Sequence, residues 1–413
     1  MELTRKSERS YRWIVLISWM VCHAAGWSIA LGGGILLPSI SAEFDLSFIR
    51  QGLLSSVPVW TNVAFTIPLS MWLLRYRPTI ITTVTLVLGL LFLLIQASAP
   101  LFVILMISRL AFGMTIAARE PARTLLMQQW FTSREFIMVN GVTAGLLSVV
   151  FSVTLLLTPF LLKAFSNDWR ATFYLFAGVF AVLAILWPII ARERIAQEYQ
   201  LRFMSMDPPV LLGLLKRKTL WMAGFAFLGA HLSASCFFGF YPTLMLNRYD
   251  VALEYSGIIM ALSLLAGGII SFVIGKVTTD WKTRSRLLYA FGIFMLCSYL
   301  ILIATDSLTF LLLGALLNGL SWGFFPIILT VTFSLPNVRA REVPVGHAFL
   351  FTMVTLGLAL GPIIAGLLQD AMDNLVLVFL IMSIPSLSIV VSGFFVRNLQ
   401  NFQIQKMGME DAA

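Results

Sequence analysis

Four ionisable residues, Arg109, Arg119, Glu120 and Arg123, fall inside one long apolar run between Leu101 and Leu126. Charges are costly in such surroundings, so their presence asks for a reason. On a helix advancing ~100° per residue, Glu120 lies about 20° around from Arg109 and Arg123 about 40° the other way. Those three share a face, and Arg119, about 80° off, borders it. With a rise of about 1.5 Å per residue, Arg109 stands ~12 Å in from Leu101 and Glu120 ~28 Å in. A guanidinium is planar, permanently charged and able to give two parallel hydrogen bonds, which suits a carboxylate. Glu120 can take up a proton or hold Arg123 one turn on. The plainer reading of Arg109 is structural: it satisfies helix-end carbonyls or a neighbouring helix. For Arg119, Glu120 and Arg123 the plainer reading is a cytoplasmic gate or an interfacial set of ion pairs. The sequence leaves both open.

Two histidines are further candidates. His23 sits between Trp19 and Trp27 at helical spacing, and His231 precedes Ser235 by one turn. Histidine titrates nearest neutral pH, so either can couple a movement to protons; either can equally be a hydrogen-bonded packing residue. Trp27, Trp60, Asn62, His231, Asn318 and Trp322 are the candidate ligands for a small molecule beside Arg109. His23, Arg119, Glu120, Arg123, Asp280 and Arg284 are the candidates for proton coupling or gating. Cys22, Cys236 and Cys297 lie far apart within apolar runs, which gives neither metal-ligand spacing nor a disulfide framework. Nucleotide-binding loops, metal clusters and nucleophile triads are absent from the pattern, so no cofactor is expected.

The elements that must position these residues are set by composition. Hydrophobic residues make up 59% of the chain and charged residues 11%, against about 25% charged in a soluble domain. The apolar residues gather into twelve runs: 13–37, 52–74, 79–98, 101–126, 138–162, 171–191, 220–246, 256–274, 287–304, 308–331, 345–369 and 374–396. Each is near the ~20 residues that a helix needs to cross a bilayer. The expectation is an all-α integral membrane protein. The first run follows four basic residues, as a signal peptide does, but it is too long for a signal core and reads as an uncleaved helix. The net charge of +9 does not point to nucleic acid, because the basic residues sit at the ends of the runs. With the N-terminus inside, inner segments carry 21 Lys and Arg and outer loops 4. Both termini are therefore expected in the cytoplasm, in a plasma membrane.

The longest polar stretch, 192–219, divides the runs six and six. The predicted domains are a first bundle at 1–191, this loop, and a second bundle with a short tail at 220–413. A shift of 205 residues lays Gly52 on Gly257, Pro121 on Pro326 and Gly141 on Gly346, and a shift of 204 lays Pro38 on Pro242. This is the signature of a parallel internal repeat. The same shift sets Gly314, Phe325 and Ile328 opposite Arg109, Glu120 and Arg123, so the charges belong to one half alone. That asymmetry points to a solute with a polar end and an apolar part.

Several segments carry a family resemblance. Arg109 to Gly113 is similar to an R-x-x-x-G segment, Trp169 to Phe173 to W-R-x-x-F, and Gly361 to Gly366 to G-P-x-x-x-G. The loop from Gly275 to Asp280, continuing to Arg284 and Arg286, is similar to a Gly/Asp/Arg loop with one extra residue. Over essentially its whole length the chain resembles the major facilitator superfamily of secondary transporters. Two departures stand out. Leu74 takes the place of an aspartate in the first-half loop, and Thr158-Pro159 lacks the glycine-rich setting found in drug/proton antiporters.

The resemblance implies twelve transmembrane helices in two pseudo-symmetric six-helix bundles, lining a central site with helices 1, 4, 7 and 10. It implies a monomeric carrier, not an enzyme, that works by alternating access. The expected cargo is a small organic solute, anionic, in symport with protons. The alternative is proton-driven efflux of amphipathic drugs, and a membrane enzyme or receptor is the remote one.

Overall fold

The computed structural model describes residues 2–73, 76–131, 135–192, 216–277, 281–334 and 343–397. Among them every regular element is a helix. In order these are α1 (Glu2–Leu31), a 3-10 turn (Gly32–Gly34), α2 (Leu37–Phe44), α3 (Phe48–Leu73), α4 (Pro78–Ala97), α5 (Phe102–Trp130), α6 (Phe136–Ala164), α7 (Trp169–Ile190) and α8 (Lys218–Tyr249). There follow α9 (Leu253–Val277), α10 (Trp281–Ala304), α11 (Leu308–Ser321), α12 (Phe324–Ser334), α13 (Val343–Met372) and α14 (Leu375–Ser383). A second 3-10 turn (Ile384–Leu387) leads to α15 (Ser388–Arg397).

Helices are what hydrocarbon permits, because each satisfies its own backbone groups. Eleven stretches among the described residues are long and apolar enough to cross a membrane. α3 would be the twelfth, and its 26 residues give it the length. It is not one of the eleven, and it carries Arg50, Gln51, Asn62 and two internal prolines. The long loop expected at 192–219 falls almost wholly outside the described residues.

Three expected spans are not single helices. The first breaks at Gly32-Gly33-Gly34, where three residues without side chains let the backbone tighten into a 3-10 turn. The tenth breaks at Trp322-Gly323, and the Ser271 hydroxyl covers the Trp322 carbonyl at 3.1 Å. The twelfth passes through a 3-10 turn that holds Pro385.

The chain divides into two compact units. One takes Met1–Arg202 together with Gly239–Ala261, and the other Phe203–Phe238 with Leu262–Ala413. The tip where α8 turns into α9 thus counts with the first unit. There Lys163, in the last turn of α6, pairs with Glu254 at 2.8 Å. A Cβ on Gly257 would stand 2.7 Å from both the Leu155 carbonyl oxygen and the Pro159 ring.

In the rest of the first unit, α5 packs on α3 and α4, α4 on α7, and α1 on α6. In the second, α10 packs on α11 and α15. Lipid offers no hydrophobic drive between helices, so close approach at small residues supplies the contact. Gly113 of α5 meets the backbone of Pro58, and Gly357 of α13 meets the Leu228 carbonyl. The outward faces are apolar, the reverse of a soluble protein: α4 buries Ile81, Thr85, Gly89 and Gln96 while exposing Ile80, Val84, Val87 and Leu91.

Gly113 gives the test of this packing. A Cβ there would lie 2.7 Å from the Pro58 Cα and 2.8 Å from its oxygen, and neither atom can rotate away. Gly113→Ala is expected to cost about 1–3 kcal/mol and to lower the unfolding temperature in detergent. At Gly145 nothing lies within 4 Å, and Gly145→Ala is expected to leave that temperature unchanged or higher.

Candidate functional site

The first side chain of the α5 face to be accounted for is Arg109, which is 2% exposed. Its Nε donates to the Leu54 carbonyl at 2.8 Å and its Nη2 to the Ala30 carbonyl at 2.9 Å. Both acceptors are backbone defects. Leu54 precedes Pro58 by four residues, and a proline has no N–H to return. Ala30 lies in the last turn of α1, where carbonyls run out of helical partners. The guanidinium tip fits because residue 33 is a glycine: a Cβ there would collide with Nη2. Gly113, one turn further along α5, brings α3 close at the same proline. The Arg109/Gly113 pair is therefore a device for docking α5 against two interrupted helices.

Further along α5, Arg119 is fully buried. Its Nη1 donates to the Cys22 carbonyl, its Nε to the Thr115 carbonyl at 3.3 Å, and its Cζ lies 5.5 Å from the centre of the Phe180 ring. Its Nη2 has no hydrogen-bond partner. Among the described residues no carboxylate lies within salt-bridge reach of Arg109 or Arg119. The next residue, Glu120, points its Oε1 at His23 Nε2, 3.2 Å away. The carboxylate is one-third exposed and the imidazole 6% exposed. Trp19 stacks on the imidazole at 4.9 Å between ring centres with a 12° tilt, and Trp19 itself donates to the Thr82 hydroxyl at 3.2 Å. His23 Nδ1 is buried without a partner.

The structure thus brings His23, Arg119 and Glu120 together and sets Arg109 apart from them, toward the other end of α1. Arg123, half-buried, follows Glu120 on α5. Trp27 is half-buried on α1 and Trp60 half-buried on α3; the Asn62 amide donates to the Pro58 carbonyl at 3.0 Å.

In the second unit, His231 Nδ1 contacts the Phe227 carbonyl at 2.8 Å. Its ring meets Trp322 at 5.2 Å, Phe227 at 5.9 Å and Phe325 at 6.1 Å, each edge to face. Asn318 turns to the Ser298 hydroxyl at 3.0 Å. Arg284 donates to the Thr330 hydroxyl at 3.3 Å, and Asp280 lies outside the described residues.

Sequence reasoning passed over two groups. Gly26 faces the Arg119 guanidinium: a Cβ there would stand 3.0 Å from Nη2. Glu43 accepts from Trp169 Nε1 at 2.7 Å and from Arg170 Nη2 at 2.5 Å, so the W-R pair clasps α2 to the start of α7. The only signal for either was a glycine and an acid whose positions gave no other reason for them.

A family model described as Major Facilitator Superfamily matches residues 17–346. Among solved structures, a bacterial homolog of the human lysosomal transporter Spinster, inward-facing and unoccupied, superposes with a TM-score of 0.78 at 14% identity, covering 95% of this chain and 97% of that one. The nucleoside transporter NupG superposes with a TM-score of 0.75 at 14% identity, covering 94% and 98%. No curated protein matches.

Arg109→Ala removes the donor from two buried carbonyls, each worth about 1–3 kcal/mol when left bare. The expected result is poor recovery and a lowered unfolding temperature in detergent. Arg109→Lys, with one ammonium for two acceptors, is expected to fall between. A role in solute contact alone would instead give normal stability with lost transport.

Proposed function

The chain belongs to the Major Facilitator Superfamily, and from that premise we propose that this secondary transporter carries a small organic anion together with protons, by alternating access. The observation that carries the reading is the His23–Glu120 contact beside two buried guanidinium groups, neither of them within salt-bridge reach of a described carboxylate.

The hydrogen bonds of Arg109 are spent on backbone carbonyls, yet its charge is not. A guanidinium stays charged, and in a low-dielectric interior its field reaches further than in water. Arg109 and Arg119 together therefore favour an anion near α1 and α5 through field rather than contact. The same field opposes a second proton on the His23–Glu120 pair. When an anion arrives, that opposition falls, and by linkage the proton favours the anion by the same factor. Coupled uptake follows from the electrostatics without a direct bond between the two cargoes.

Proteoliposomes test this reading. A labelled organic anion is expected to accumulate when the proton gradient points inward. Glu120→Gln is expected to abolish accumulation while leaving solute exchange across the membrane in place. Proton-driven extrusion of an amphipathic dye, or accumulation of the anion without regard to the proton gradient, would defeat it.

A further inference from the structure

Resting on the reading of His23 and Glu120 as the proton-carrying pair, we infer that Gly26 and Arg119 are positioning residues that set its geometry. The fastener and the pair are immediate neighbours on both helices. On α1 the Cys22 carbonyl precedes His23; on α5 Arg119 precedes Glu120. The guanidinium is hemmed in on every side that the structure describes. Nη1 is taken by Cys22, Nε by Thr115, and the face of the group lies against Phe180. Nη2 lies against Gly26, and Ile116 closes the same gap: a Cβ at residue 26 would meet Ile116 Cγ1 at 3.2 Å.

A guanidinium wedged in this way acts as a spacer between α1 and α5. A methyl group at residue 26 cannot be admitted by moving the guanidinium alone, so α1 must shift by a few tenths of an ångström. His23 and Glu120 stand 3.2 Å apart, already at the long end of N–H···O bonds. A small widening at Gly26 therefore breaks the contact three residues away while leaving both titrating side chains unchanged.

The charged or titratable groups around the pair are few. Arg119 and Arg123 belong to α5, and the Cys22 thiol to α1. Among the described residues of the neighbouring helices, α4 has no charged residue, and α3, α6 and α7 carry their charged residues only in a first or last turn, as Arg50, Lys163 and Arg170. α4 supplies the Thr82 hydroxyl through Trp19, and α7 the Phe180 ring. Geometry at Gly26 is therefore the main adjustable influence on the pair that leaves its charges untouched.

The test uses the full-length carrier. The Glu120 carboxyl band is identified in infrared spectra as the one lost in Glu120→Gln, and its titration is followed in Gly26→Ala. The expected result is a titration displaced by about one pH unit, a tenfold change in proton affinity, with thermal stability and solute exchange kept near wild type. Adding Phe180→Leu together with Ile116→Ala frees both groups that a Cβ at residue 26 would meet and is expected to restore the wild-type titration. Should Gly26→Ala not fold, Arg119→Lys keeps the charge without the fork and is expected to displace the same band. A Gly26→Ala or Arg119→Lys protein that titrates as wild type overturns the inference. A displaced band in a carrier whose transport ignores the proton gradient supports the positioning role and removes the symport reading instead.

Discussion

A carbonyl that loses its partner inside hydrocarbon has no water to turn to. The first unit contains two such carbonyls side by side, and one guanidinium serves both. Pro58 opens Leu54, the glycine turn leaves Ala30 at the end of α1, and Arg109 reaches each from α5. Two interruptions that would each destabilise the bundle become a joint at which three helices meet. Proline and glycine can then bend α1 and α3 without exposing backbone to lipid, and the rest of the unit is built on that joint.

The internal repeat shows why the joint is found once. In the second half, Gly314 stands where Arg109 would, and the matching helix α9 has no internal proline. Its close approach is made by Gly319 against the Ser263 backbone and by the Ser263 hydroxyl on the Ala315 carbonyl at 3.0 Å. Without a proline gap in the ladder there is nothing for a guanidinium to fill. The one-sided charge of the sequence thus has a local cause in the placement of Pro58 and the three glycines, beside whatever part it plays toward a solute.

Much of this was legible in the chain. Lipid accepts only apolar residues at helix surfaces, so the runs announced themselves, and the charges of α5 stood out against them. The partners of those charges were not legible, because the acceptors are backbone oxygens, which no residue type encodes. Pro58 and Gly32-Gly33-Gly34 were the available signals, since a proline inside a helix and three consecutive glycines each imply a carbonyl needing cover. His23 and Glu120 lie on different helices, and their meeting depends on a spacing set by Gly26 that hydropathy does not record. Asn318, polar and on the tenth span, invites a binding role from sequence; the Ser298 hydroxyl that its amide donates to, 20 residues earlier on an adjacent helix, is not legible there. The breaks in the tenth and twelfth spans were missed because an apolar run looks the same whether or not its helix is continuous.

The three sulfhydryls carry a practical consequence. Cys22 and Cys236 are buried, and Cys297 is half-buried within α10. A water-borne maleimide therefore meets a nearly silent background on the natural chain. Single reporters for fluorescence or spin-label distances can be introduced at the helix ends without first stripping out native residues, two of which sit in the tight contacts of α1 and α8.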